Sequence, residues 1–464
     1  MTSDKFFSNT KNSVNDMTKG SVGKTIVTFL LPMILTNTLQ QIYSIADTLI
    51  VGKGLGDDAL GAVGNMGPLT FLIFGFSMGL TSGFAVIIGQ KFGAKDIKGL
   101  KRAVASSIKL SAIIALIITF ISLTQLRNLM ILLDTPEDVL DMSLKYGYII
   151  FAGSFASIAY NLCSSVLRSL GDSKTPFYAI VFSCTFNFIF DWISIFKLHM
   201  GVEGPAIVTV ISQIISTAIL LIRLRSINII IPSRSDFTIQ SNTDISLLRN
   251  GIPMAVMSSI TAVGCIIVQH FVNGMGVAYT SAYSICGRYL NLFMTASSTT
   301  GQAVSVFISQ NYGSGKYNRI KRGLRMGIFI SLMTSVLFGS LMVFFPVTLS
   351  SQMLDGTLQI ELAASYLRSL GMMLFIVNML YIVRGACQGM GKPFIPMISG
   401  IAEMILRIVT IALLAPRLGF IAAAYAEIAA WIGAFSMNGA AYIYNIRRLF
   451  RFGHSRDNTK SKKA

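Results

Sequence analysis

Apolar stretches of roughly 20 residues or more recur along almost the whole of this chain, and they restrict its fold more than any other feature. At a rise of about 1.5 Å per residue, each is long enough to cross a hydrocarbon layer of about 30 Å. The runs lack period-two alternation and are about twice the length a spanning strand needs, which excludes a closed barrel. Charged residues make up 12% of the chain and hydrophobic ones 53%, against about 25% charged in soluble domains. An all-α polytopic membrane protein follows.

The pattern predicts twelve spans, over 24–51, 60–89, 103–125, 143–167, 175–196, 201–222, 247–272, 280–309, 324–349, 361–386, 393–414 and 419–446. Residues 1–23 form a polar tail with no apolar h-region or cleavage site, so the first span is expected to serve as the targeting signal. Loop charge sets the expected orientation. The loop after span 2 holds Lys91, Lys95, Lys98, Lys101 and Arg102, and the loop after span 8 holds Lys316, Arg319, Lys321, Arg322 and Arg325. Alternate loops are poor in bases, and the one after span 3 is acidic. By the positive-inside rule, the even loops and both termini face the cytoplasm. The net charge of +18 then reflects topology and attraction to anionic membrane lipids. The bases are scattered through short loops and a basic tail, so no nucleic-acid partner is expected.

The two basic loops are copies of one another. A single offset superimposes Gln90 on Gln310, Gly93 on Gly313, Lys101-Arg102 on Lys321-Arg322, and Gly171 on Gly391; one residue more brings Pro32 onto Pro253. Spans 1–6 therefore repeat as spans 7–12 with the same topology, as in two-lobed transporters with a parallel internal repeat. The expected organisation is an N-lobe over 24–222, a cytoplasmic linker over 223–246, a C-lobe over 247–446 and a basic cytoplasmic tail over 447–464.

Against this background the stretch QQIYSIADTLIVG, residues 40–52, is costly. Asp47 has no base within five positions, and a carboxylate inside a membrane costs about 2.5–3.5 kcal/mol on insertion scales. Asn37, Gln40 or Gln41, Ser44, and Asp47 or Thr48 form a polar stripe on span 1, with Pro32 able to bend the helix before them. Span 5 carries Ser183, Asn187, Asp191 and Ser194; span 6 carries Thr209, Ser212 or Gln213, and Ser216; span 4 carries Ser157, Asn161 and Ser164. Two carboxylates with amide and hydroxyl neighbours can hold a small hard cation or share a proton. The second half lacks these groups, since Asp191 falls on Ile411 and Asn187 on Arg407. Its Glu403 and Arg407, four apart, read as an intrahelical ion pair, and Glu427 has no evident partner.

Other motifs carry less. Gly54–Asp57 spells the GxGD of intramembrane aspartyl proteases, but no matching YD span accompanies it. There is no P-loop, and His199, His270 and His454 stand apart from one another. The five cysteines (Cys163, Cys184, Cys265, Cys286 and Cys387) suit packing rather than a disulfide framework or a zinc site.

Pro32 in LLPMILTN, QQIYSIADTLIVGKGLG, the repeated Q-x-x-G basic loops and RSLGDSKTP after span 4 resemble the multidrug and toxic compound extrusion (MATE) family over about residues 20–446. Within it the chain looks closest to the DinF-like branch. The resemblance implies a V-shaped transporter in the bacterial plasma membrane, with no enzymatic activity and no cofactor beyond a coupling ion, H+ or Na+. Drug-like or cationic small molecules would leave as that ion enters, and a monomer is expected. Asp47, Asn187, Asp191 and Thr209 fall at the branch's cation or proton site. Gln40, Asn37, Tyr43, Asn161 and Ser157 are expected to line the substrate path, with Pro32 as hinge. The NorM-like branch has acidic residues on spans 7 and 10; here Thr261 stands at the first place, and span 10 has no carboxylate in its middle. A flippase for lipid-linked cargo is the alternative within this architecture. It calls for clustered cations, whereas Lys109, Lys145, Arg288, Arg368 and Arg407 are dispersed.

Overall fold

The computed structural model of the chain describes residues 14–132, 135–238 and 241–461. Parts of the expected tails, of the acidic loop after span 3 and of the linker lie outside the described residues. Within the described residues fifteen α-helices follow one another: α1 Val22–Leu55, α2 Asp57–Asn65, α3 Gly67–Gly93, α4 Ile97–Leu132, α5 Glu137–Ala152, α6 Ser154–Ser169, α7 Lys174–Phe196, α8 Glu203–Arg225, α9 Ser241–Asn273, α10 Val277–Gly313, α11 Tyr317–Phe344, α12 Pro346–Ser351, α13 Thr357–Gly389, α14 Phe394–Leu418 and α15 Ile421–Ser461. No strand occurs among the described residues.

Among those residues, nine helices are long and apolar enough to cross a membrane, and α5 with α6, bent by 44° where they meet at Gly153, makes a tenth. The expected spans 8 and 12 are helical too, as α10 and α15, but carry more polar residues. Much of the polar content of α10 is buried, including Ser297, Thr299, Thr300 and Asn311, so lipid does not meet it. By contrast Leu116 and Phe120 on α4 are 73% and 69% exposed, as a lipid-facing helix requires.

Helices outrun the apolar runs because the basic loops are themselves helical. Lys98, Lys101 and Arg102 lie on α4, and Arg319, Lys321, Arg322 and Arg325 on α11. Lysine and arginine are good helix formers, so the chain breaks only at a brief cap. That cap shows the repeat directly. After α3, Lys95 takes a left-handed conformation while Lys95 N–H donates to the Phe92 carbonyl and Asp96 N–H to that of Lys91, at 3.0 and 3.1 Å. After α10, Gly315 does the same, with Gly315 N–H donating to Tyr312 and Lys316 N–H to Asn311, at 3.1 and 2.9 Å. Gly171 and Gly391, both at positive φ, close α6 and α13 with a second matched pair of bonds.

The chain forms two compact units. The first comprises Leu31–Ala255 with the described residues up to Asp16, and the second Met17–Leu30 with the residues from Val256 onward. The division therefore falls inside α1 beside Pro32 and inside α9 beside Pro253. In the first unit Leu80, Phe84, Ile88, Leu100, Leu167 and Leu170 are fully buried together. The linker packs here as two short 3-10 turns, Asn228–Ile230 and Arg234–Phe237. Hydrogen bonds from the Ser233 hydroxyl and backbone N–H, helped by the charges of Lys101 and Arg102, hold the Asp236 carboxyl below the usual carboxylate range.

In the second unit the segment before α1 is strapped to the basic loop. Arg319 donates to the carbonyls of Met17, Lys19 and Gly20, Lys316 to that of Thr18, and Met17 N–H donates to the Gln310 side chain. The core of this unit joins Val268, Cys286, Tyr366, Leu367, Leu370 and Trp431. Helices α10 and α13 meet backbone to backbone, because Gly385 and Gly389 on α13 form a G-x-x-x-G that faces Gly301 and Ser305 on α10. A Cβ at Gly389 would sit 2.5 Å from the Ser305 carbonyl, and one at Gly385 would clash with that of Gly301. Gly385→Ala is therefore expected to force the helices apart and to destabilise the protein by roughly 1–3 kcal/mol. A lowered melting midpoint in detergent checks this.

Candidate cation site

The first unit brings together helices α1, α5, α7 and α8 around one polar cluster. Asn187 and Asp191 lie one turn apart on α7, 1% and 0% exposed, so both side chains point away from lipid. Asp47, half-buried on α1, adjoins Asp191, each carboxyl within interaction reach of the other. Thr209 comes from α8 and stands 3.4 Å from the Asn187 amide nitrogen and 3.5 Å from the Tyr43 hydroxyl. The Asn187 amide also donates to the Ser212 hydroxyl at 3.3 Å, which leaves its carbonyl oxygen pointing elsewhere.

That geometry leaves a set of buried oxygens without hydrogen-bond donors: Asp47 Oδ1, Asn187 Oδ1 and both oxygens of Asp191. Buried polar atoms are nearly always satisfied, and unsatisfied carboxylate oxygens cost far more than neutral ones. A group of donor-free oxygens of this kind suits a proton or a small hard cation, which prefers oxygen ligands. Neighbouring carboxylates make the binding sharper, since their mutual repulsion is relieved by the same positive charge.

Of the residues expected from sequence, Asp47, Asn187, Asp191, Thr209 and Tyr43 are joined in this cluster. Ser157 and Asn161 on α6 are instead held apart from it: the Ser157 hydroxyl donates to the Gln213 side-chain amide oxygen, and the Asn161 amide donates to the Ser157 backbone carbonyl at 3.0 Å. Gln40 is exposed two turns before Asp47, and Asn37 is half-buried one turn further back. Pro32 lies within α1. Tyr146 on α5 escapes sequence reasoning; it is within electrostatic reach of both Asp47 and Asp191, and no stripe or motif marks it.

The second unit holds a different polar core. Arg407 grips Glu427 through two bonds, at 3.0 and 2.9 Å, and Glu403 is held by Arg384. The intrahelical pair expected between Glu403 and Arg407 is the loosest of these contacts, at 3.9 Å. Glu427, expected to be unpartnered, is the main partner of Arg407. The reason is geometric: an arginine on α14 reaches a facing helix in a bidentate fork more easily than it folds back along its own. At the span 7 position, the Thr261 hydroxyl donates to the Met257 carbonyl, one turn back, at 3.0 Å. Among the described residues, no group of three His, Cys, Asp or Glu side chains is arranged to hold a metal.

Comparison with known proteins decides the family. The MatE family model matches residues 32–193 and again 253–413, one copy in each repeat and more than half of the chain. This chain belongs to the MATE family. The MATE copies begin at Pro32 and Pro253, the prolines that the internal repeat superimposes. Among relatives, the chain is 31% identical to the probable multidrug resistance protein YoeA of Bacillus subtilis, over 68% of this chain and 69% of that one. It is 24% identical to the probable multidrug resistance protein NorM of Thermotoga maritima, over 81% and 82%. A MATE family transporter of the MOP superfamily solved in an outward-facing conformation matches the fold with a TM-score of 0.88 at 20% identity, covering 95% of this chain and 99% of that one. MATE proteins are membrane transporters, not enzymes.

Proposed function

We propose that this MATE protein is a secondary antiporter that exports drug-like or cationic small molecules in exchange for H+ or Na+. The observation that carries the ion half is the set of buried oxygens of Asp47, Asn187 and Asp191 that lack donors. The cargo half is supported by the relatives named as multidrug resistance proteins. Exchange requires the ion and the cargo to favour different states of the protein, because a ligand that favours neither shifts nothing. Neutralising the two carboxylates changes what α1 packs against near Asp47, and Pro32 gives that helix a place to yield. The loop charges support a plasma-membrane protein with both termini in the cytoplasm.

Lipid-linked cargo is less well served, because three of the five dispersed bases are already engaged: Lys109 pairs with Asp244 at 2.7 Å, Lys145 with Asp141 at 2.8 Å and Arg407 with Glu427 at 2.9 Å. Ethidium efflux from pump-deficient cells tests the reading. Efflux is expected, and it is expected to stop when either a protonophore or a sodium ionophore removes the driving ion. Efflux that survives both ionophores overturns antiport, and no efflux at matched expression overturns the drug cargo.

A further inference from the structure

The two basic loops that the repeat superimposes differ in what answers their charge. In the first unit Lys101 and Arg102 have the Asp236 carboxylate within electrostatic reach, fixed there by its bonds to Ser233 at 2.6 and 2.9 Å. The linker thus brings an anion to that pair from within the chain. The equivalent Lys321, at the start of α11 in the second unit, stands in a different setting. It lines a cavity of about 310 Å³ with Ile446, Arg447, Phe450 and Arg451 from α15. Among the described residues, no carboxylate pairs with Lys321, Arg447 or Arg451.

The cavity is built rather than incidental. Lys321 Nζ stands 3.7 Å over the Phe450 ring, and Tyr317 packs edge-on against the same ring at 6.3 Å, which fixes its plane. A cation resting on an aromatic face keeps its N–H donors for a further partner. Two arginines one turn apart offer planar forks suited to a tetrahedral oxyanion, and repel one another until one arrives. Just before the cavity on the same helix, Ile443 and Tyr444 are 49% and 64% exposed, an apolar surface next to the charges. A volume of this size lies at the small end of ligand sites.

We propose that this cavity, where the start of α11 meets the end of α15, seats the phosphodiester headgroup of an anionic glycerophospholipid. The acyl chains lie along the exposed apolar surface of α15, and the phosphate supplies the anion that Asp236 supplies to the first repeat. Basic pockets beside membrane spans recognise anionic headgroups in this way.

The test is native mass spectrometry of the full chain, purified in detergent and exposed in turn to phosphatidylglycerol and phosphatidylcholine. Three proteins are compared: wild type, Arg447→Gln/Arg451→Gln, and Lys98→Gln/Lys174→Gln, which removes the same charge from exposed positions elsewhere. Wild type and the control pair are expected to retain phosphatidylglycerol over phosphatidylcholine, and the Arg447/Arg451 pair to lose at least about fivefold of that retention. Lys321→Gln, a single exposed change, reads the same loss should the double variant elute as aggregate. Equal retention by the pocket variants overturns the proposal, as does an equal loss in the control. Displacement of the lipid by millimolar inorganic phosphate overturns the lipid assignment in favour of a soluble anion.

Discussion

Replacing Asp191 by Asn is expected to abolish gradient-driven export while leaving a folded, membrane-inserted protein. The side chain is 0% exposed and its oxygens have no donor from the surrounding helices, so the one neighbour that feels the change is the Asp47 carboxyl beside it. The amide has nearly the same shape and avoids the cost of a buried anion, which argues for unchanged or raised thermal stability. What the change removes is the group that distinguishes an ion-loaded from an ion-free state. Coupling energies between sites are typically about 1–3 kcal/mol, so losing the coupling corresponds to a fall of roughly 5–150-fold in the effect of the gradient. Ethidium efflux at matched expression is the measurement. Asp47→Asn is expected to act in the same direction, and the double variant to be no worse than Asp191→Asn alone, since residues that serve one site are not additive. Full export by Asp191→Asn would remove the cluster from the mechanism.

Much of this site is legible in the sequence, for a reason particular to membranes. In a soluble protein a buried Asn187 or Asp191 is one polar residue among many. Inside an apolar span it stands out, and four-residue spacing places both on one face of a helix. Thr209 and Ser212 are legible in the same way, as a stripe on the next span. Tyr146 is not, because a tyrosine in a span is as often an interfacial or packing residue, and only its approach in space to Asp47 and Asp191 gives it a role. The second unit shows the other limit. Arg384 stands near the end of α13 in VRGACQG, within the expected span 361–386, and nothing along its own helix marks it as the partner of Glu403 on the next. Sequence spacing finds neighbours along one helix, so arithmetic pairs Glu403 with Arg407, whereas the stronger partners come from facing helices. Helix starts escape for a related reason: hydropathy marks the bilayer, but Lys and Arg carry α4 and α11 beyond it, back to the left-handed caps at Lys95 and Gly315.

Breaking the Arg407–Glu427 pair should produce the largest loss of stability from any single change in the second unit. Arg407 and Glu427 are 3% and 8% exposed, and the pair is bidentate. Arg407→Ala strands Glu427 in a low-dielectric site and leaves Glu403 with Arg384 alone. Removing one partner of a buried pair typically costs about 3–5 kcal/mol, because the remaining charge keeps its desolvation cost and loses its compensation. Arg407 stands where the repeat places Asn187, so the two lobes have diverged at one position, to an orphan acceptor in the first and a paired cation in the second. If that divergence is structural, the double variant Arg407→Met/Glu427→Leu should recover most of the stability by replacing the pair with packed apolar side chains. Melting midpoints in detergent measure both variants, and ethidium efflux of the double variant separates the two roles. Recovery of stability together with normal efflux identifies the network as scaffold. Recovery of stability with export still lost means that the charges of the second unit take part in the transport cycle, and the assignment of ion coupling to the first unit alone fails.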